Sequence, residues 1–537
     1  MGQANSTETA SSIEERELES QATSVGALPL LHNSFPKLAD PLSNSIPLTS
    51  LQQCFSLKYT SISCEGVDLP DCFQGFLDQI AASITDTLFV PQKGGITWTE
   101  FVRGYVKGCG RMSASSLLNT LLRALALSAE RAGCPMNLQF DSDEADSKTS
   151  GSISPGELGM IIWVCWIMSW NSRSSKCAME SEHANIPDLN HLIVSAVVSC
   201  MDNDNDVDVW NTDVCHLEAE LSVGKIHTWA IRTVPNLAEC FSNFINSRLK
   251  AATFEQPSGT ETSVTMVVGT SSDTAWEYHL LTRGRAWAIS LSQRSSISEE
   301  MLRICFSSNT DVIEESLLYR SYAHGKGLNR FWSNVDGYHG PLLLLLSATS
   351  GESSESSRKW IIGALTQQGF ENRDAFYGSG GCLYSIFPVF HVFSASGKEQ
   401  NYLYSHLHPA ARAYEPHPKP VGIAFGGTVG HERIFIDEDF AKVTIQHHAA
   451  DKTYQHGSLF PDQGYLPTEA SVLDVEVWGL GGKKAKEIQD SYRNREALFT
   501  EQRRKVDLKT FASWEDSPEK MMMDLMASPN AVRREER

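Results

Sequence analysis

The first residue able to do chemistry in this sequence is its second. Met1-Gly2-Gln3-Ala4-Asn5-Ser6 fits the M-G-x-x-x-[ST] pattern, in which loss of Met1 leaves the unhindered α-amine of Gly2 as an N-myristoyl acceptor. One acyl chain holds a membrane only marginally, so a second contact is needed. No cysteine precedes Cys54, and residues 1–25 carry five acids against Arg16. Such a tail is repelled by anionic lipid. The second contact is therefore expected from a protein partner or a distant basic element.

Two stretches imitate calcium loops, which need an acid at position 1, Gly at 6, an aliphatic residue at 8 and Glu at 12. Asp146–Glu157 supplies Asp146, Ser150, Gly151, Ser152, Ile153 and Glu157, but Lys148 puts a positive charge at position 3. The stretch ending at Glu100 has Gly94 and Ile96 in place yet offers Phe89, Pro91 and Lys93 where ligands belong. Ile96 and Ile153 are expected to pair as the short bridge joining two such loops. The reading is an EF-hand-like helical module that no longer needs metal. Calcium at Asp146, Ser150, Ser152 and Glu157 is the alternative. A third acidic run, Asp202-x-Asp204-x-Asp206-x-Asp208, has Val207 where the turn needs glycine and reads as a solvated loop.

Catalytic patterns do not assemble, and the protein is read as not an enzyme. Gly378-Ser379-Gly380-Gly381 has neither dinucleotide-fingerprint nor P-loop spacing, and no G-x-S-x-G elbow occurs. His406, His408, His447 and His448 lack an HExxH context or a cysteine partner, and read as loop histidines. Cys382 beside a glycine turn is the one candidate redox thiol, which would make a thiol-based antioxidant enzyme.

These residues must be positioned by 537 residues, room for several domains. A net charge of −20 opposes phosphate backbones, so nucleic acid is not an expected partner. Twelve cysteines without a CxxC pair or a signal-peptide pattern suggest reduced thiols in the cytoplasm. Leu158–Trp170 is apolar but too short to span a bilayer and reads as a buried core helix. Residues 1–50 read as a disordered lipidated tail and 51–250 as the helical EF-hand-like region, with Leu117, Leu118, Leu121, Leu122 and Leu125 on one helix. Residues 251–289 read as a linker. From about 290, runs such as Leu342–Leu346 and Ile386–Phe393 turn strand-like between glycine turns. Residues 483–537 return to charged helix, with nine bases against five acids over Lys483–Lys509 and an apolar stripe at Ala485, Ile488, Tyr492, Leu498 and Phe499.

One stretch resembles a family. Leu317-Leu318-Tyr319-Arg320-Ser321, His324-Gly325, Phe376-Tyr377-Gly378-Ser379-Gly380, Gly422–Gly427, Ile434–Asp437 and Val475-Glu476-Val477-Trp478-Gly479 stand in the order of the TLDc domain, expected over 290–482. With the Gly2 signal and the EF-hand-like region, the whole resembles the myristoylated mTOR-associated TLDc branch, plant relatives included. The resemblance implies an α+β fold: a helical EF-hand-like region, then an antiparallel β-sandwich with flanking helices and a C-terminal helix. His324, Gly325, Phe376, Tyr377, Gly378, Gly380, Gly426, Gly427, Asp437, Glu476, Trp478 and Gly479 are the motif positions. Trp478 and Phe435 are expected to fill the core between the sheets. The family's acid after Gly-x-Gly is Gly381 here. By resemblance the protein is a regulatory adaptor of the vacuolar-type proton ATPase at lysosomal or vacuolar membranes, linked to growth signalling or oxidative-stress resistance. A calcium-responsive adaptor is the reading from another class.

Overall fold

The computed structural model describes residues 10–91, 94–142, 149–174, 183–201, 208–210, 217–254, 276, 278–293, 296–307, 309–350, 358–407, 419–447, 452–461, 463–515, 520 and 522. Gly2, Asp146 and Asp202 to Asp206 lie outside these residues, as does the Gln256–Gly259 boundary. No described helix is long and apolar enough to cross a membrane.

The helical half begins earlier than composition suggested. Helices α1 (Ala10–Ser24), α2 (Leu28–Leu38) and α3 (Leu48–Cys54) precede β1 (Ile62–Cys64). The expected disordered tail is thus corrected from residue 10 onward. Ala22, Ala27, Leu31 and Phe35 are buried, and Trp98 Nε1 donates to Glu19 at 2.8 Å. Burying those apolar groups offsets the ordering entropy that the polar composition alone did not. Next come α4 (Phe73–Leu88), α5 (Trp98–Cys109), α6 (Ala114–Arg131), β2 (Leu138–Phe140), β3 (Thr149–Ile153) and α7 (Pro155–Ser174). They are followed by β4 (Ala184–Ile186), α8 (Asn190–Cys200), β5 (Leu221–Ser222), α9 (Val223–Thr233) and α10 (Glu239–Phe254).

The loops pair differently from the expectation that joined Ile96 to Ile153. Ile96 bridges Ile46, with both N–H···O distances 2.8 Å, whereas Ile153 pairs with Leu221. Gly94 two residues before Ile96 has φ +65°, and Asn44 two residues before Ile46 has φ +50°. The left-handed turn, which glycine and asparagine adopt at least cost, fixes the register where ligand acids are missing. Helix α10 then lies against α2, α3, α5, α6 and α7. Its Phe241, Phe244, Ile245 and Leu249 are fully buried, the i, i+3, i+4, i+8 stripe of a helix filling a groove.

The expected linker 251–289 is likewise corrected where it is described. Trp276, Leu280 and Leu281 are buried, and α11 (Arg283–Ser292) starts inside it. After α12 (Ser296–Cys305) and α13 (Thr310–Ser316), β6 (Leu317–Arg320), α14 (Ser321–His324) and α15 (Leu328–Val335) lead into a sheet. Its strands are β7 (Leu342–Ser350), β8 (Arg358–Thr366), β9 (Arg373–Tyr377), β10 (Gly381–Phe387), β11 (His391–Ser394) and β12 (Leu403–His406). It is completed by β13 (Gly422–Thr428), β14 (His431–Asp437), β15 (Lys442–Ile445) and β16 (Thr468–Gly479), before α16 (Gly482–Glu515). Among the described residues these form one eleven-stranded antiparallel sheet in the order 11-10-8-7-16-15-14-13-12-9, with β6 beside β16.

The sheet curls around one core and presents its other face to the helices. Leu344 and Leu346 of β7 point into the curl with Val475 and Val477, while Leu343 and Leu345 join the helical core with Trp478. A strand buried on both faces needs an unbroken apolar run, which is why Leu342–Leu346 does not alternate. Trp478 is buried but on the helix side, and Phe435 is only half-buried. Both differ from the between-sheet positions expected, because strand parity assigns them to the outer face.

Candidate functional site

Strand period two places Asp474, Glu476 and Trp478 on one face of β16. Glu476 is fully buried, and a buried carboxylate needs donors. Leu281 N–H reaches its Oε2 at 3.3 Å and Trp478 Nε1 reaches the same oxygen at 3.0 Å. His279 Nδ1 and Arg320 Nε lie 3.3 and 3.4 Å from Oε1. Arg320 also contacts Asp474 Oδ2 at 3.3 Å and bonds the carbonyl of Tyr278. Asp474 Oδ1 accepts from the Ser321 hydroxyl and, at 3.2 Å, from Tyr322 N–H. Trp276 stacks on Trp478 with ring centroids 6.4 Å apart. The motif acid and tryptophan thus fasten Trp276 and residues 278–281 onto the sheet. Burial pushes the Arg285 guanidinium down, against the opposing pull of Asp188 and Glu476.

The neighbouring motif residues are spent on the backbone. His324 Nδ1 accepts from Arg320 N–H at 3.0 Å while its ring stacks on Tyr319, whose hydroxyl donates to the carbonyl of Gly325 at 2.8 Å. Asp437 accepts from Ala441 N–H at 2.8 Å in the β14–β15 turn, beside the Glu438 carbonyl that receives Leu328 N–H. Gly479 abuts the Tyr338 ring.

A second group gathers on β9, β12 and β13, away from the acid face. Tyr377 pairs with Leu403, which pairs with Phe425. The Tyr377 hydroxyl bonds Ser405 and accepts from Glu371 N–H at 2.7 Å, and the Phe376 ring lies 5.3 Å from Tyr404. Gly378 turns at φ +89°, Gly380 lies against Gln367, and Gly426 packs on Thr453 and Tyr454. At Gly427, φ is +88° and a Cβ would sit 2.2 Å from the His431 carbonyl, so only glycine fits there. The sequence-read motif therefore divides into two structural groups.

The loop residues are also occupied. Ser150 and Ser152 lie on β3, and the Ser152 hydroxyl donates to Glu220 at 3.1 Å. Glu157 accepts from Ser154 N–H at 2.6 Å while Ser154 Oγ accepts from Glu157 N–H, a capping box opening α7. Glu100 does the same for Thr97 at 2.8 Å. Both position-12 glutamates satisfy helix-terminal donors. Among the described residues no group of three or more His, Cys, Asp or Glu is placed to hold a metal ion. Burial pushes the Cys382 thiol up, although Gln293 Nε2 lies 3.4 Å from its sulfur.

Helix α16 is anchored at its start and projects beyond. Gln489 is fully buried, its Nε2 donating to the carbonyls of Asn334 and Asp336 at 3.1 Å each. Leu498 and Phe499 are 58% and 72% exposed.

The strap contacts of His279, Trp276, Arg320 and Asp474 were missed from sequence. The available signal was two acids alternating with apolar residues in a strand otherwise too apolar to be exposed, which demands buried partners.

The curled sheet with its buried acid and glycine turns is that of a TLDc domain: residues 293–481 match this family, and the chain carries such a domain. It is similar to the MTOR-associated protein MEAK7 of Danio rerio, 27% identical over 176 residues, covering 32% of this chain and 34% of that protein. MEAK7 of Gallus gallus is 24% identical over 167 residues, 31% of each chain. Oxidation resistance protein 1 of Rattus norvegicus is 23% identical over 166 residues, covering 31% of this chain and 16% of that protein. The alignments span about a third or less of these curated relatives.

Proposed function

We propose that this is a non-enzymatic regulatory adaptor whose TLDc domain binds the peripheral sector of a vacuolar-type proton ATPase at an endomembrane, in a growth-signalling or oxidative-stress role. The observation that carries the reading is the use of the motif side chains. Glu476, Asp474, His324 and Asp437 are all satisfied internally, while α16 leaves the body with Leu498 and Phe499 uncovered. Groups already engaged with backbone and neighbours build a surface rather than a reaction centre, and an exposed apolar pair on a basic helix suits a partner groove. The similarity to relatives named mTOR-associated supports a signalling partner of the mTOR type. N-myristoylation at Gly2 would add peripheral membrane contact.

The test is recovery of ATPase peripheral subunits on the full-length protein and on a variant lacking residues 483–537. Capture by the full chain, reduced at least about tenfold by the deletion, is the expected result, as a lost hot spot of ~1.4 kcal/mol or more requires. No capture by the full chain overturns the ATPase reading, and undiminished capture by the deletion removes α16 from it. Gly2→Ala should move the protein out of the membrane fraction, and unchanged fractionation refutes lipid anchoring.

A further inference from the structure

Two thiols outside every motif lie side by side. Cys72 is the residue preceding α4 and Cys134 follows α6 through the Gly133 turn, φ +78°. The start of α4 abuts the end of α6, where a Cβ on Gly75 would stand 3.9 Å from that of Ala132. Cys134 is anchored by its N–H to the Ala129 carbonyl at 3.0 Å, which sets its thiol in the neighbourhood of Cys72 at this junction. Both are reduced and only half-buried.

Among the described residues, six buried cysteines contrast with this pair, whereas Cys64 and Cys382 share its partial burial. Cys54, Cys109, Cys165, Cys200, Cys240 and Cys305 are buried, and burial pushes the thiols of Cys240 and Cys305 up to about 12. Buried protonated thiols are poor nucleophiles. Burial, and after it the adjacent Cys72, pushes the Cys134 thiol up to about 11.

We infer that Cys72 and Cys134 form a reversible disulfide, a redox modification site that clips α4 to α6. The co-reactant is a small-molecule disulfide of the glutathione type. The Cys72 thiolate attacks one sulfur of that disulfide and expels one glutathione thiolate, leaving a mixed disulfide on Cys72. Cys134 gives up its proton to solvent, attacks the Cys72 sulfur and expels the second glutathione. Two protein thiols are oxidised to one disulfide while one small disulfide is reduced to two thiols.

The clip has a structural consequence. Helix α4 enters the loop of Ile96, and α6 precedes the loop of Ile153, so the bond would join the two loop pairs. It would close residues 72–134 into a ring and restrict the unfolded chain.

Full-length protein incubated with oxidised glutathione tests this by intact mass and non-reducing peptide mapping. The expected result is a Cys72–Cys134 linked peptide, a mass loss of about 2 Da for two hydrogens, a raised thermal midpoint, and reversal by reductant. Cys134→Ser should instead accumulate glutathione on Cys72, because the resolving thiol is gone. Cys72→Ser should leave Cys134 largely unmodified. Wild-type protein that keeps both thiols alkylatable, or that ends as a stable glutathione adduct at either one, overturns the inference. So does a linkage of either cysteine to a different partner.

Discussion

Replacing Glu476 by Gln keeps the shape of the side chain and removes its charge. In the native sheet the carboxylate receives Leu281 N–H and Trp478 Nε1 on one oxygen and faces His279 and Arg320 on the other. The amide oxygen of Gln can keep the first pair, but its NH2 then meets His279 and the Arg320 guanidinium. Arg320 retains Asp474 at 3.3 Å, which moderates the loss. Disrupting one side of a buried ion pair costs about 3–5 kcal/mol. At roughly 2–4 °C per kcal/mol for a domain of this size, the unfolding midpoint of the sheet should fall by about 10 °C. The strap at 276–285 should become the first site cut in limited proteolysis, because its anchor is the group removed. Differential scanning calorimetry and timed trypsin digestion measure both. A variant melting within about 1 °C of the wild type, with the strap still protected, would show that apolar stacking of Trp276 on Trp478 holds the strap and refute the electrostatic account.

Other outcomes follow from single contacts. Burial, reinforced by Arg285 and opposed by Asp188, lowers His191 to about 4. The unfolded chain takes that proton near 6.5, so it binds more protons below neutrality and stability falls as pH drops, by about 2 kcal/mol between pH 7 and 5. Urea midpoints at the two pH values check this, and His191→Gln should flatten the dependence. Phe244→Ala empties a fully buried position under α10 and should cost about 3–5 kcal/mol by chemical denaturation. Glu157→Ala removes the cap on Ser154 N–H and should cost about 1 kcal/mol, equally in calcium and in chelator. A loss confined to calcium-loaded protein would instead make Glu157 a metal ligand.

How much was legible depends on how local the cause is. The α7 core helix and the strand at Leu342–Leu346 follow from composition and period within one segment. The ordered start at residues 10–38 did not show, because Leu31 and Phe35 gain their burial from α5 and α10, far along the chain. The TLDc motif residues were readable as types and order, yet their partners were not. Glu476 waits for Leu281 and His279, nearly two hundred positions earlier.

The sequence by itself determined which segments must be buried, where glycine turns must fall and that the domain near the carboxyl end is of TLDc type. Burial and turns are properties of period, side-chain volume and backbone freedom carried within a few residues, whereas the TLDc type rested on the order of the motifs that resemble that family. Only the tertiary structure decided that Ile96 meets Ile46, that the glutamates at Glu100 and Glu157 cap helices, and that Trp478 faces the helical region instead of the inside of the curl. Donors and partner strands are chosen by what packs across space, and that choice has no local signature.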